Sequence, residues 1–323
     1  GWFADKLPPI FSAEQFVTYC NNRKMASNDS RSEWIRFNYI RCNGQYRKFG
    51  IPTPFTYERL VRGLADNWGD IVRHVQKYTL PQPYAVSRIH PRVIPDSQAI
   101  FQMNYSNWMT DPNPEPTILI GKKYLVKCDI STCFPSIYTH SLPWAIMGRD
   151  NAKQNRSSRR GGWANEIDGL LQKACDGETH GLLIGPHASN VVSELILTVI
   201  DASLFNKGYR FIRNIDDYNC YVASRYEAEQ FIISLQEELS KFRLTLNQKK
   251  TEILELPIAL SNGWVNSLRR NEPNKSDPLD YKDVSSFLEY ATSLLPSYQN
   301  NASILLYAFK MLASRSLKPS AKA

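Results

Sequence analysis

The chain has 323 residues, 42% of them hydrophobic and 22% charged, which is enough apolar material for a substantial core in one large domain or two. No run of about 18 apolar residues is present, so the sequence predicts no membrane-spanning helix and no membrane partner. The chain has 39 lysines and arginines against 31 aspartates and glutamates, a formal charge of +8. This charge would favour a polyanionic partner such as nucleic acid, but it is equally compatible with a basic protein that binds no nucleic acid.

The first 118 residues are expected to mix helices with irregular, proline-containing stretches. A short helix is predicted to open at Ser12 or Ala13. Residues 84–98 alternate in polarity like a pair of strands. A longer helix is predicted over residues 56–78, where apolar side chains suited to core packing recur at helical spacing: Leu60, Leu64, Trp68, Ile71 and Val75.

Residues 119–260 are expected to form a second region that begins with a buried strand and ends with helices. The strand covers residues 125–128 and stops at Asp129. Residues 149–166 are polar and basic, contain two adjacent glycines, and predict a mobile loop. Apolar spacing predicts helices over residues 186–200 and 227–242.

The remaining residues, 261–323, differ in character from the rest. Residues 261–283 are polar and predict a linker. Residues 282–316 predict two helices separated at Pro296.

Two adjacent carboxylates, Asp216 and Asp217, interrupt a hydrophobic and aromatic stretch at residues 213–222. A strand, a tight turn and a second strand would place both at the tip of a hairpin. Such pairs are more often solvated turns, and Asp129 alone would be a strand-end or helix-capping residue. Together the three acids, with the backbone carbonyl of Ile130, predict the oxygen ligands of two Mg²⁺ ions, with Mn²⁺ as an alternative.

Four blocks of the sequence, in this order, resemble those of reverse transcriptases. They are DISTCFPSIYTH (129–140), ETHGLLIGPHASNVVSELILTVID (178–201), the Asp216–Asp217 turn, and FRLTLNQKKTEIL (242–254). The resemblance covers most of residues 1–318. Within the reverse transcriptases, the segments at 51–71 and 139–153 resemble the bacterial abortive-infection and other defence-associated enzymes. The chain departs from the usual pattern at Asn214, His180 and Gly185, and it shows no Phe-Leu-Gly primer-grip string.

The resemblance implies an α+β right-hand fold. Residues 1–118 would form an N-terminal segment and fingers, and residues 119–260 a palm with an antiparallel sheet and helices. Residues 261–323 would begin a helical region, thumb-like or of helical repeats, in place of a standard thumb.

The resemblance also implies roles for individual residues. Asp129 and Asp216 would be the main metal ligands and Asp217 a supporting one. Lys250 would donate a proton to the leaving pyrophosphate, unless it is a plain surface lysine. Nucleotide contacts would come from the amides of Thr132 and Cys133, from Phe134 as a gate against the ribose 2′-hydroxyl, and from His180 and Gly181.

Several arginines have two interpretations at this level. Arg88 and Arg92 would lie near the triphosphate on finger strands, or be solvated strand residues. Arg156, Arg159 and Arg160 would contact a phosphate backbone, or keep their loop solvated.

The expected activity is magnesium-dependent DNA synthesis from dNTPs in antiphage defence. The enzyme would copy an RNA template, with a dedicated noncoding RNA as one option, or extend a chain without a template. A homo-oligomer is a further expectation, and a catalytically weak nucleic-acid-binding scaffold is the alternative. The six cysteines show no CxxC or cysteine–histidine spacing, which is typical of a reducing bacterial cytoplasm without zinc.

Overall fold

The computed structural model describes residues 13–22, 31–40, 44–88, 91–92, 102–103, 114–156, 158–257, 263–274, 277–298 and 301–321. The chain divides into two compact units. The first comprises Gly1–Arg41 and Tyr46–Leu256, and the second comprises Cys42–Gln45 and Pro257–Ala323.

The first unit contains both helices and strands. In chain order they are α1 (Ala13–Asn22), β1 (Ile35–Ile40), β2 (Tyr46–Ile51), α2 (Pro54–Asp66), α3 (Trp68–Thr79), β3 (Pro91–Arg92), β4 (Gln102–Met103), α4 (Glu115–Ile118), β5 (Tyr124–Asp129), α5 (Cys133–Ser136), α6 (Ser141–Met147), α7 (Arg149–Gln154), α8 (Ser158–Ala174), α9 (His187–Asn206), β6 (Phe211–Asn214), β7 (Asp217–Val222), α10 (Arg225–Lys241) and β8 (Glu252–Glu255).

A four-stranded antiparallel sheet in the order β6-β7-β5-β8 forms the centre of this unit. Side chains of β5 and β7 alternate between its two faces, as the strand period requires. Val126 and Cys220 are buried in the core, whereas Lys127 and Asn219 lie opposite each other on the more open face. One face of the sheet is therefore closed by the core, and the other is open around Lys127 and Asn219.

Helix α9 is the main helix of the core. Among the described residues it is the one helix long and apolar enough to cross a membrane by length and composition, and 72% of its apolar window is buried inside the protein. Leu195, Ile196 and Ile200 each have 0% of their surface exposed. Packing against the protein interior accounts for this apolar composition.

The helix predicted over residues 56–78 is two helices, α2 and α3, which meet at Asn67. The Asn67 backbone leaves the helical region at φ −101° and ψ 16°, and its side-chain Nδ2 donates to the carbonyl of Gly63 at 2.8 Å. An asparagine that bonds backbone in this way competes with helical hydrogen bonding. The expected core positions Leu60, Leu64 and Ile71 are nonetheless buried.

The loop predicted at residues 149–166 is wrong, because helices α7 and α8 occupy almost all of it. Burial of Ala152, Ala164 and Ile167 stabilises these helices despite the polar residues between them. The adjacent glycines interrupt α8 only locally, at Gly162, where the backbone is non-helical with φ 61° and ψ −156°.

The strand pair expected at residues 84–98 is described only in part. Ser87 forms a bridge with Arg213, and β3 pairs with β4. Residues 89–90 and 93–100 lie outside the described residues.

The second unit has its own apolar core and three helices, α11 (Gly263–Arg270), α12 (Tyr281–Ser293) and α13 (Ser303–Ala313). The two helices expected within residues 282–316 are confirmed as α12 and α13. The linker expected at 261–283 is wrong where α11 forms, because Trp264 and Leu268 are buried in this core.

Candidate metal centre

Three carboxylates from two neighbouring strands converge at one end of the central sheet. Asp129 ends β5 and is the cross-strand partner of Asp217, which begins β7, and Asp216 lies in the turn between β6 and β7. One carboxylate oxygen from each residue lies within 4.8 Å of the other two. The predicted hairpin and the predicted position of Asp129 at a strand end are confirmed.

The backbone around these acids is held by hydrogen bonds between the converging segments. The Ile130 amide donates to the carbonyl of Asp216 at 3.1 Å, and the Asn247 amide donates to the carbonyl of Asp129 at 2.8 Å. Ile130 itself is buried, so its predicted part in the site rests on its backbone alone. The strand end, the hairpin turn and the segment before β8 are thereby tied together.

Burial and the repulsion between neighbouring carboxylates raise the pKa values of Asp216 and Asp217. Partial burial raises the pKa of Asp216, and the negative charge of Asp129 adds to this rise. Partial burial, followed by the charge of Asp216 and a hydrogen bond with Asp129, raises the pKa of Asp217 to about 6. Crowded carboxylate oxygens are the hard donors that divalent cations such as Mg²⁺ prefer, and a bound cation would offset the repulsion that raises these two pKa values.

Two side chains from the segment before β8 contact Asp129. Lys250 Nζ donates to Asp129 Oδ1 at 2.8 Å, and Asn247 Nδ2 donates to Oδ2 at 2.9 Å. The hydrogen bond to Asp129 raises the pKa of Lys250, which is therefore charged at neutral pH. The Lys250 side chain is 63% exposed, so it can leave this contact without unfolding its surroundings.

A cavity of about 400 Å³ opens beside Asp129 and Asp217 on the polar side of the sheet. Lysine, asparagine and acidic side chains predominate in its wall. The lining residues are Lys127, Cys128, Asp129, Asn214, Asp217, Tyr218, Asn219, Lys249, Lys250 and Glu252. A polar wall of this kind suits a charged ligand better than an apolar one.

A buried arginine, Arg213, holds the turn between β6 and β7 through hydrogen bonds. Arg213 is 0% exposed, and its guanidinium bonds Asp201 (2.6–3.0 Å) and Glu194 (3.0 Å) of helix α9. Arg213 Nη1 also donates to the carbonyl of Ile215 at 2.9 Å. Ile215 has φ 58°, a strained conformation for a β-branched residue, so the buried ion network holds the turn that carries Asp216.

The turn after β5 places the predicted nucleotide-contacting residues. Thr132 has φ 44° and precedes the short helix α5, which begins at Cys133. Burial raises the pKa of the Cys133 thiol, so this side chain packs as an apolar group and only its backbone is available to a ligand. Phe134 is half-buried against the core, and its carbonyl accepts from the Leu182 amide at 2.8 Å.

The glycine turn lies directly against this segment. Gly181 has φ 96°, and a Cβ there would meet the carbonyl oxygen of Pro135 at 3.3 Å. Both the backbone conformation and the close approach require glycine. His180 is exposed, and its ring centre lies 5.0 Å from that of Tyr138.

The predicted arginines are not shown to join the site. The Arg88 amide donates to the carbonyl of Arg213, which ties the Arg88 backbone to β6. Within the part of the chain that the structure describes, no hydrogen bond or ion pair joins the Arg88 side chain to the three acids. Arg156 is exposed between α7 and α8. For Arg92, Arg159 and Arg160 only the backbone lies within the described residues. Their assigned contacts stay predictions.

Sequence reasoning missed Arg213, Asn247 and Arg47. The positive charge of Arg47 acts against the raised pKa of Asp216, which places it near the acids. The signal was present in residues 35–51, where aromatic and basic residues alternate around an Asn-Gly turn. Strands β1 and β2 form that hairpin, and Arg47 lies over the ring of Phe49 at 5.6 Å.

No family model and no curated protein matches the chain. Among solved structures, it is similar to apo telomerase from Candida tropicalis, with a TM-score of 0.51 and 10% identity over 94% of this chain and 62% of that one. Likenesses to a C-terminally truncated form of that enzyme (TM-score 0.45, 12% identity, 78% and 57% covered) and to Candida albicans telomerase with a telomeric RNA fragment (0.41, 12%, 97% and 66%) are weaker. The chain spans less than two thirds of the first telomerase structure. Its mixed helix-and-sheet fold is similar to that of this enzyme, which is of the reverse-transcriptase type.

Proposed function

We propose that the protein is a reverse-transcriptase-type nucleotidyltransferase that adds deoxynucleotides to a nucleic-acid chain with two divalent cations. One observation carries the proposal, namely the convergence of Asp129, Asp216 and Asp217 within 4.8 Å beside a polar cavity. The resemblance of four sequence blocks and the likeness in fold to a telomerase support the same reaction class.

In this proposal Asp129 and Asp216 hold the cations and Asp217 supports them. Bound Mg²⁺ would activate the attacking hydroxyl and balance the charge on the leaving pyrophosphate. Asn247 orients the Asp129 carboxylate through its 2.9 Å hydrogen bond. Lys250, whose Nζ donates to Asp129, is the proton donor to the pyrophosphate in this proposal, and its exposed ammonium group would be free for that role if a cation took its place at the carboxylate.

The neighbouring segments would position the nucleotide. The amides of Thr132 and Cys133 face the triphosphate, and Phe134 rejects the ribose 2′-hydroxyl. Gly181 lets the backbone approach the nascent base pair, with His180 beside it. Arg47 is an additional candidate for the triphosphate, because its charge already reaches Asp216.

We further propose a role in bacterial antiphage defence, on the resemblance of residues 51–71 and 139–153 to that group of enzymes. The partners would be dNTPs, a DNA product and an RNA template, which a dedicated noncoding RNA could supply. Synthesis without a template is the other mode for this site. An inactive nucleic-acid-binding scaffold is less well supported, because all three carboxylates are present and converge.

The test of the reaction is dNTP incorporation by the purified chain with Mg²⁺, with Mn²⁺ and with EDTA. Asp129→Asn and Asp216→Asn should each lower incorporation by roughly 100-fold or more, as loss of the main charge-stabilising groups does. Asp70→Asn is the matched control, since that acid pairs with Arg73 on a helix surface. Undiminished incorporation by either site variant would refute the assignment, and binding without any incorporation would favour the scaffold.

The template question needs a separate measurement. Each single dNTP is supplied with an RNA of known sequence, and the products are sequenced. Synthesis restricted to the complementary nucleotide indicates templating, and unrestricted synthesis indicates the untemplated mode. Phe134→Ala should raise ribonucleotide incorporation, and an unchanged ratio would remove the gate from this side chain.

A further inference from the structure

Two arginines and two aromatic rings form a compact surface cluster outside the candidate metal centre. The Arg149 guanidinium carbon lies 4.9 Å from the centre of the Trp144 ring. That of Arg243 lies 5.6 Å from the same ring and 4.5 Å from the ring of Tyr138. Both arginines are exposed, and both rings are half-buried. We call these four residues the arginine–aromatic cluster.

Arg243 occupies a position that helix geometry reserves for glycine. It follows Phe242 at the C-terminus of α10 and has φ 62°. An L-residue with a side chain costs about 1 kcal/mol in this left-handed conformation. Stacking on two rings offsets that cost, because each cation–π contact contributes roughly 0.5–1 kcal/mol at an exposed site.

Neither guanidinium has an anionic partner among the described residues. Other arginines of the structure do, as Arg62 with Glu58 and Arg225 with Glu229 show. The guanidinium carbons of Arg149 and Arg243 lie 4.9 and 5.6 Å from the centre of the same Trp144 ring, so they are at most about 10.5 Å apart. One polyanion can therefore contact both cations at once, and both attract it.

We propose that the arginine–aromatic cluster binds the phosphate backbone of a single-stranded nucleic acid. A cation–π contact engages the charge of a guanidinium without using its N–H donors in hydrogen bonds to carboxylates, so these donors remain available for phosphate oxygens. Two successive phosphates of one strand can each meet one of the two guanidiniums. Trp144 acts as a positioning residue that holds both donors in place.

The cluster adjoins the candidate site through the backbone. Thr245, two residues after Arg243, accepts a hydrogen bond from the Ser131 amide at 2.9 Å, just beyond Asp129. Tyr138 forms a bridge with His180, the neighbour of Gly181. A strand held here would lie beside segments that also lead to Asp129 and Gly181, and this inference rests on the proposed function in taking that strand as one the polymerase acts on.

The test measures fluorescence anisotropy of labelled 20-nucleotide RNA and DNA single strands with the full chain in EDTA, where synthesis is silent. Arg149→Ala and Arg243→Gly should each weaken binding about tenfold, the effect of one charge-assisted hydrogen bond. Glycine at 243 suits the backbone, so the fold is preserved. The slope of log affinity against log salt should fall by about 0.7 for each lost contact.

Two further variants separate stacking from charge. Trp144→Leu keeps the net charge but removes the shared ring, and it should weaken binding about as much as the loss of one arginine. Trp144→Phe keeps a ring and should retain most of the affinity. Arg225→Ala, which removes an exposed arginine paired with Glu229, is the matched control and should leave binding unchanged.

Unchanged affinity and salt slope in the arginine variants would overturn the proposal. Competition by polyglutamate or by a nucleoside triphosphate as strong as that by the oligonucleotide would also overturn it, because the cluster would then be a general anion site. Asp216→Asn should bind strands normally while losing incorporation. If the unaltered chain incorporates no dNTP yet binds strands through the cluster, the proposed function fails and this inference stands.

Discussion

Removing the buried charge of Arg213 should destabilise the first unit strongly. Arg213→Met leaves the carboxylates of Asp201 and Glu194 without a cation at positions where their side chains are 3% and 5% exposed. Breaking a buried ion pair from one side costs about 3–5 kcal/mol. For a unit of this size that corresponds to a fall in melting temperature of roughly 10 °C or more, measured by differential scanning fluorimetry.

Stability and turn position can be separated by an apolar replacement of the whole network. Arg213→Met combined with Glu194→Leu, Asp201→Leu and Tyr218→Phe removes every charge of this network, and it also removes the Tyr218 hydroxyl, which donates to Asp201. Buried ion networks replaced in this way regain most or all of the lost stability. Incorporation should stay low, because the Ile215 carbonyl has still lost its donor and the strained turn is no longer held.

The control is Arg225→Met, which breaks an exposed ion pair with Glu229 and should change the unfolding free energy by less than about 0.5 kcal/mol. A melting temperature for Arg213→Met equal to that of this control would refute the buried-charge argument. Full dNTP incorporation by the apolar network variant would refute the positioning of the turn by Arg213.

Three other perturbations follow from the geometry of the site. The pKa of Asp217 is raised from 3.8 to about 6 in the folded state, so ionising this carboxyl destabilises the fold. The free energy of unfolding therefore falls as the pH rises through that interval. Asp217→Asn without divalent ions should therefore be about 1 kcal/mol more stable at pH 7, after allowance for solvent screening, and equal to the parent below pH 4 in urea unfolding. Lys250→Met should tighten Mn²⁺ binding in calorimetry, since the ion no longer displaces an ammonium from Asp129, while it slows incorporation; weaker Mn²⁺ binding would contradict this. Gly181→Ala should lose about 1–2 kcal/mol of stability and reduce incorporation, because of φ 96° and the contact with Pro135; an unchanged melting temperature would contradict it.

The elements that local patterns specify could be predicted from the sequence. The apolar residues Leu125, Val126 and Cys128 before Asp129, and the hydrophobic and aromatic stretches around Asp216 and Asp217, were enough to predict the strand end and the hairpin. That these segments pair with each other was expected only through the resemblance, because pairing across about 90 residues leaves no local signal. The likeness to a telomerase fold agrees with that expectation.

Other features lay beyond sequence reasoning because they depend on burial. Residues 149–166 look like a polar loop, yet Ala152 and Ile167 are buried in helices that neighbouring elements stabilise. Arg213 received no role from the sequence, because its partners Glu194 and Asp201 lie on α9 and meet it only in the folded protein. A weak signal existed, since Glu194 and Asp201 are seven residues apart in an otherwise apolar helix and so share one face.

The ladder between β5 and β7 makes the spacing of the acids depend on chain length as well as on residue identity. Asp129 faces Asp217 at one end, and Tyr124 faces Val222 at the other. Neighbouring side chains point to opposite sides, so deleting a single residue in the middle would turn one acid toward the interior. Deletion of one residue in the middle of β5 or β7 should therefore lower dNTP incorporation as much as replacement of Asp129 does.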